Sequence, residues 1–154
     1  MSDTDSPRPR IAARRLELAA YPFTIPFRLL WGDADLLGHI NNVAIGRYLD
    51  ETRVSLFREI FAGGLSDTVP VRGMLATLTA TYLAETLYPG EVTVATSIGA
   101  IGRTSITEWI AVFQGDRCTV VADAVIVWAG PEGPSPIPDF ARAAAERHRF
   151  RDQP

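Results

Sequence analysis

The stretch Asn41-Asn42-Val43-Ala44-Ile45-Gly46-Arg47-Tyr48-Leu49-Asp50-Glu51-Thr52-Arg53-Val54-Ser55-Leu56-Phe57-Arg58-Glu59-Ile60-Phe61-Ala62 is the only long amphipathic helix pattern in this 154-residue chain. Ile45, Leu49, Thr52, Leu56 and Ile60 share one ridge at a 3.6-residue period, with Tyr48 and Phe57 beside it. Arg47, Asp50, Arg58 and Glu59 populate the rest of the surface. Asn41 or Asn42 suits the N-cap, because a short side-chain carbonyl can accept an otherwise orphaned first-turn amide. Gly63-Gly64 supplies a stop, since glycine adopts the left-handed conformation that ends helices. The pattern predicts a helix of about five turns.

Outward from the helix the chain reads as strand. Phe23, Ile25, Phe27, Leu29 and Trp31 alternate on one face of the preceding run, and Pro26, which has no N–H, requires an edge or an irregularity there. After the helix, Met74, Ala76, Leu78, Ala80, Tyr82 and Ala84 form one apolar face against Thr77, Thr79, Thr81 and Glu85. Pro89-Gly90 marks a turn, and strands follow over 91–101, 104–114 and 118–129, the last two joined tightly through Gly115-Asp116. The segment from Gly130 to Pro138, with four prolines and two glycines, reads as a linker, and Asp139 is expected to cap a short helix running to about Arg149.

One strand, one long helix and then four strands predict an α+β domain over residues 22–130. Its antiparallel sheet has one face that only the long helix can cover. Residues 1–21 read as an N-terminal arm that is disordered in part, and 131–154 as the Pro/Gly linker with the short C-terminal helix. Residues 11–21 fit either a helical turn or an arm laid on a partner. A curved antiparallel sheet wrapped around one central helix is the hotdog arrangement, and its open edge invites pairing with a second copy.

The hydrophobic fraction of 47% and charged fraction of 21% are those of an ordinary globular chain. A net charge of −3, with no basic run interleaved with aromatics, argues against nucleic acid as a partner. All fifteen basic residues are arginine. The lone Cys118 cannot form an intrachain disulfide, which suits a reducing cytoplasm. Met1 to Arg15 lacks the apolar core of a signal peptide, and no apolar run approaches the roughly 20 residues of a membrane helix, so a cytoplasmic location without membrane contact is expected.

Chemistry concentrates where strand gives way to helix. Asp33-Ala34-Asp35-Leu36-Leu37-Gly38-His39-Ile40-Asn41-Asn42, followed by Tyr48-Leu49 and Glu51-Thr52-Arg53, resembles the D-x-D-x-x-G-H-x-N-N signature. That signature belongs to acyl-CoA thioesterases of the 4-hydroxybenzoyl-CoA thioesterase-like hotdog group, and the similarity spans Phe23 to Ala129. The resemblance implies hydrolysis of an acyl-CoA thioester by a homodimer or homotetramer. Coenzyme A is then part of the substrate, and no cofactor or metal is expected.

On that resemblance Asp35 matches the catalytic carboxylate. The chemistry agrees, since thioester hydrolysis needs a base for water or a direct nucleophile, and a carboxylate can be either. The developing oxyanion needs donors, which the first amides of the helix supply at the positive end of its dipole. The backbone N–H of Asn42 is the candidate. Gly38 permits a tight turn close to substrate. Asp33 fits a turn or capping residue as well as a functional one, His39 fits a loop organiser or a contact to the acyl carbonyl, and Asn41 an ordinary cap. The spacing of Asp33, Asp35 and His39 matches no zinc or calcium pattern. Arg103 and Ser105, within Gly102-Arg103-Thr104-Ser105, correspond to family segments near the CoA phosphates. Arg147, Arg149 and Arg151 read as a solvated face, and Cys118 has no neighbouring base to activate it. Two rivals stand beside the thioesterase: a hotdog dehydratase or hydratase, which would rely on His39, and a non-catalytic acyl-CoA binding protein.

Overall fold

The ridge read from the sequence is the buried face of α1 (Asn42–Phe61): Ile45, Leu49, Thr52, Leu56 and Ile60 are all 3% exposed or less. Residues 11–61 and 72–152 are described by the computed structural model; residues 1–10 and the expected Gly63-Gly64 stop lie outside them. The other elements are β1 (Phe23–Arg28), β2 (Arg72–Tyr82), β3 (Glu91–Ile101), β4 (Ser105–Gln114), β5 (Arg117–Gly130), the two-residue β6 (Gly133–Pro134) and α2 (Asp139–Arg147). Asn41 is the N-cap of α1, its Oδ1 accepting the Ala44 amide at 2.8 Å.

The sheet is antiparallel throughout, in the order β1-β3-β4-β5-β2, with β6 on the end of β5. It curves around α1 in the hotdog arrangement. Leu29, Ile40, Ala44, Ile45, Tyr48 and Leu49 pack on Val92, Val94, Ile110, Val112, Val120, Ala122, Ala124 and Ile126. Full burial of such a side chain contributes about 1.5–3 kcal/mol. The C-terminal half of α1 packs with Ile98, Ile106 and Trp128, and this cluster is completed by Ile137, Ala141, Ala144 and Ala145 of the tail. The outer face of the sheet is covered by the chain itself. Ala20 and Tyr21 from the arm and Phe150 from the tail pack on Ala95, Ala111, Phe113 and Val121. Residues 11–21 thus form two short 3-10 turns seated on their own sheet, with Arg15 paired to Asp123 and stacked over Trp109.

Four local expectations change. The β1 alternation stops at Arg28, and Trp31 lies instead in a 3-10 turn (Trp31–Asp33), 77% exposed. Pro26 does sit on an edge strand. β2 does not form a hairpin with β3 across Pro89-Gly90 but pairs with β5 at the opposite edge. The connecting segment 83–90 crosses the end of the sheet, where its backbone finds other partners: the Leu83 and Ala84 amides donate to Thr119 O, and the Tyr88 amide to Gly38 O.

A bulge between Leu75 and Thr77 switches the face of β2. Leu75 and Leu78 stand opposite Ile126 and Ala124 on the helix side, while Met74 does not share that face and Ala76 is the unpaired residue of the bulge. Finally, α2 begins after Pro138 without a side-chain cap and ends at Arg147. Asp139 is its first residue, where a carboxylate faces the positive end of the helix.

Candidate active site

The Asp33–Asn42 turn is built from its own hydrogen bonds. The Asp35 amide donates to His39 O at 2.8 Å and the Gly38 amide to Asp35 O at 3.1 Å. Gly38 sits at φ +80°, a left-handed conformation that disfavours any side chain. The crossover closes the turn from outside, with the Ile40 amide donating to Thr86 O at 2.8 Å.

The two aspartates point opposite ways. Asp33 is 7% exposed, and its Oδ2 accepts the Tyr48 hydroxyl at 2.6 Å and the Arg47 guanidinium at 2.7 Å. Its carbonyl accepts both the Asn41 amide and Asn41 Nδ2. The Tyr48 hydroxyl bond and, behind it, Arg47 hold the Asp33 carboxyl below its usual range. Burial and the Asp33 charge together raise the Tyr48 hydroxyl above its own. Asp33 and Asn41 therefore clamp the turn to the first two turns of α1.

Asp35 faces out. Its Oδ1 accepts the amides of Leu37 at 2.8 Å and His39 at 3.0 Å, while Oδ2 lies 3.9 Å from His39 Nδ1. One oxygen is held by the backbone, and the other faces the His39 ring. Asp35 borders two clefts. One, of about 640 Å³, is lined by Asp35, His39, Ile40, Asn41, Asn42, Ile45 and the crossover residues Tyr82 to Thr86. The other, of about 450 Å³, is lined by Trp31, Gly32, Ala34, Asp35, Leu36 and Gly38, so Asp35 is the residue the two share. Asn42 is the first, exposed residue of α1, and the Asn42 and Val43 amides have no acceptor among the described residues.

Asp33, Asp35, Gly38, His39, Asn41 and Asn42 therefore gather on one turn. Arg103 and Ser105 do not join them. They lie at the far end of β3 and β4, on the order of 30 Å along an 11-residue strand, where Arg103 O accepts the Ile137 amide. Cys118 packs against the outer-face cluster of the sheet, where burial pushes its thiol up to about 11.

Sequence reasoning missed the crossover. Glu85 Oε1 stands 3.5 Å from His39 Nε2, and Thr86 forms part of the cleft wall. Only the polar face of the β2 pattern, on which Glu85 fell, hinted at it.

The profile of the thioesterase-like superfamily matches residues 29–145, and the chain belongs to that superfamily. No curated protein matches it in sequence. Among solved structures it is similar to the PA5185 protein of Pseudomonas aeruginosa, at 24% identity and TM-score 0.76 over 89% of this chain and 98% of that one. It is also similar to a Thermus thermophilus thioesterase complexed with coenzyme A and Zn, at 23% identity and TM-score 0.72 over 88% and 98% of the two chains. A thioesterase-superfamily protein of Jannaschia sp. CCS1 matches at 28% identity and TM-score 0.69, over 82% of each chain.

Proposed function

We propose that this member of the thioesterase-like superfamily hydrolyses an acyl-CoA thioester to the free acid and coenzyme A, with Asp35 as the reacting carboxylate. The observation that carries the reading is the asymmetry of Asp35: Oδ1 is held by two amides, and Oδ2 is open where two clefts meet. A thioester is a linear substrate with an acyl arm and a pantetheine arm, and two clefts meeting at one carboxylate suit it. The amides at the start of α1, that of Asn42 foremost, hold the oxyanion as the carbonyl carbon becomes tetrahedral. Oδ2 either takes a proton from the attacking water or attacks the carbonyl itself to give an anhydride that water opens. Both routes end in acid and thiol.

The test is turnover of an acyl-CoA panel with free-thiol detection. Asp35→Asn keeps an acceptor for the Leu37 and His39 amides and should lower thiol release at least about 10³-fold while preserving the melting temperature. Near-normal release would remove Asp35 from the mechanism. Following enoyl-CoA hydration on the same panel separates a hydratase, and thermal protection without thiol release separates a pure binding protein.

A second copy of the chain completes this reading. Supporting it, β2 is an edge strand whose Met74, Leu75, Leu78 and Tyr82 are 39–58% exposed, next to the cleft that Tyr82 and Leu83 line. Exposed apolar edges of this kind are ordinarily covered. Sedimentation should give a homodimer or a multiple of one, and Leu78→Glu should shift it toward monomer with loss of activity; a wild-type monomer at full activity would refute it.

A further inference from the structure

We propose that Glu85 is a positioning residue of this site, acting on Asp35 through the ring of His39; its kinetic arm rests on the thioesterase reading. The imidazole lies between two carboxylates from different parts of the chain. Nε2 is 3.5 Å from Glu85 Oε1, and Nδ1 is 3.9 Å from Asp35 Oδ2. These are the ion-pair contacts of His39 among the described residues, and both are longer than a tight hydrogen bond.

The backbone on either side of Glu85 is firmly placed. The crossover that carries it is tied to the sheet by the Leu83 and Ala84 amides on Thr119 O and by Thr86 Oγ1 on Thr119 Oγ1 at 2.9 Å. It is tied again by the Leu87 amide on Gln114 Oε1 at 2.9 Å. Its side chain, 64% exposed, reaches into the cleft that Asp35 and Asn42 border.

The function of such a contact follows from the ring. A carboxylate is an acceptor only, so a ring that holds both carries a proton on each nitrogen, with Nε2–H toward Glu85 and Nδ1–H toward Asp35 Oδ2. With Oδ1 of Asp35 already held by amides, the Nδ1 edge is what orients the remaining oxygen, Oδ2. Without Glu85 the ring is free to rotate, and Oδ2 loses its neighbour.

The test is a double-mutant cycle with a spectroscopic arm. Glu85→Ala should lower kcat about tenfold with KM within about twofold, and Glu85→Gln, whose amide oxygen still accepts Nε2–H, should recover to within about threefold. In a His39→Gln background Glu85→Ala should have no further effect, because Glu85 acts through the ring. The chain has two histidines, so ring ¹⁵N spectra resolve them. Glu85→Ala should move the His39 Nε2 resonance and leave that of His148, which pairs with Glu59, unchanged. An additive cycle, or an unmoved His39 Nε2, overturns the proposal. If the wild type releases no thiol, the thioesterase reading falls, and the ring spectrum alone decides Glu85.

Discussion

Two carboxylate sites face the same helix and behave in opposite ways. At the start of α1, Asp35 and Glu85 lie in an open cleft, 45% and 64% exposed. Under α1, Glu108 of β4 is 2% exposed, with its Oε1 accepting the Thr96 hydroxyl at 2.6 Å. Burial pushes the Glu108 carboxyl up to about 8, against the lowering effects of Thr96 and the Arg53 charge, while the Asp50 charge adds to the rise. The first site leaves its carboxylates open to water. The second is a sealed acid that holds its proton at neutral pH. Burial, rather than residue type, sets the two kinds of carboxylate apart.

The largest test of this contrast is kinetic. Asp35→Asn should lower thiol release at least about 10³-fold, as stated above, whereas Glu108→Gln should leave it within about threefold, since the amide fills the space of a protonated acid. A large loss in Glu108→Gln with unchanged folding would tie the sealed site to the chemistry.

Next comes pH. Between about 4.5 and about 8 the folded protein holds a proton on Glu108 that the unfolded chain has lost, so stability falls as pH rises through that window and levels off above it. Glu108→Gln should flatten this part of the profile of melting temperature against pH and be the more stable protein above pH 8. An unchanged slope would show that Glu108 does not titrate in this range.

Asp33 gives the smallest and most discriminating effect, because it lies two residues from Asp35 yet is buried. Its depressed carboxyl pKa means that its contribution is present above the ordinary aspartate range and is lost as pH falls through the folded value. Asp33→Asn should cost about 2 kcal/mol by weakening the bonds to Tyr48 and Arg47. The measurement is urea denaturation at pH 7. Unchanged stability would mean that the clamp on the turn is carried by Asn41 alone.

Much of this was legible from local pattern. The α1 ridge, its asparagine cap, the β4–β5 hairpin at Gly115 (φ +60°) and the edge position of β1 all follow from spacing and from single residues of restricted chemistry. Asp35 stood out because five fixed positions recur around it. The inward turn of Asp33 did not, because either orientation suits an Asp at the end of a strand. Nor did the β2 bulge, which moves Leu75 to the helix side of the sheet through one extra residue.

By itself the sequence determined the periods, the turns and the cluster of polar residues before α1, since these depend on backbone geometry within a few residues. Only the tertiary structure decided that β2 lies beside β5, that the following crossover runs against the Asp33–Asn42 turn, and that Glu85 therefore meets His39. Strand neighbours are chosen by burial and hydrogen bonding between distant segments, and no local pattern in residues 83–90 encodes which segment will supply the acceptors for their amides.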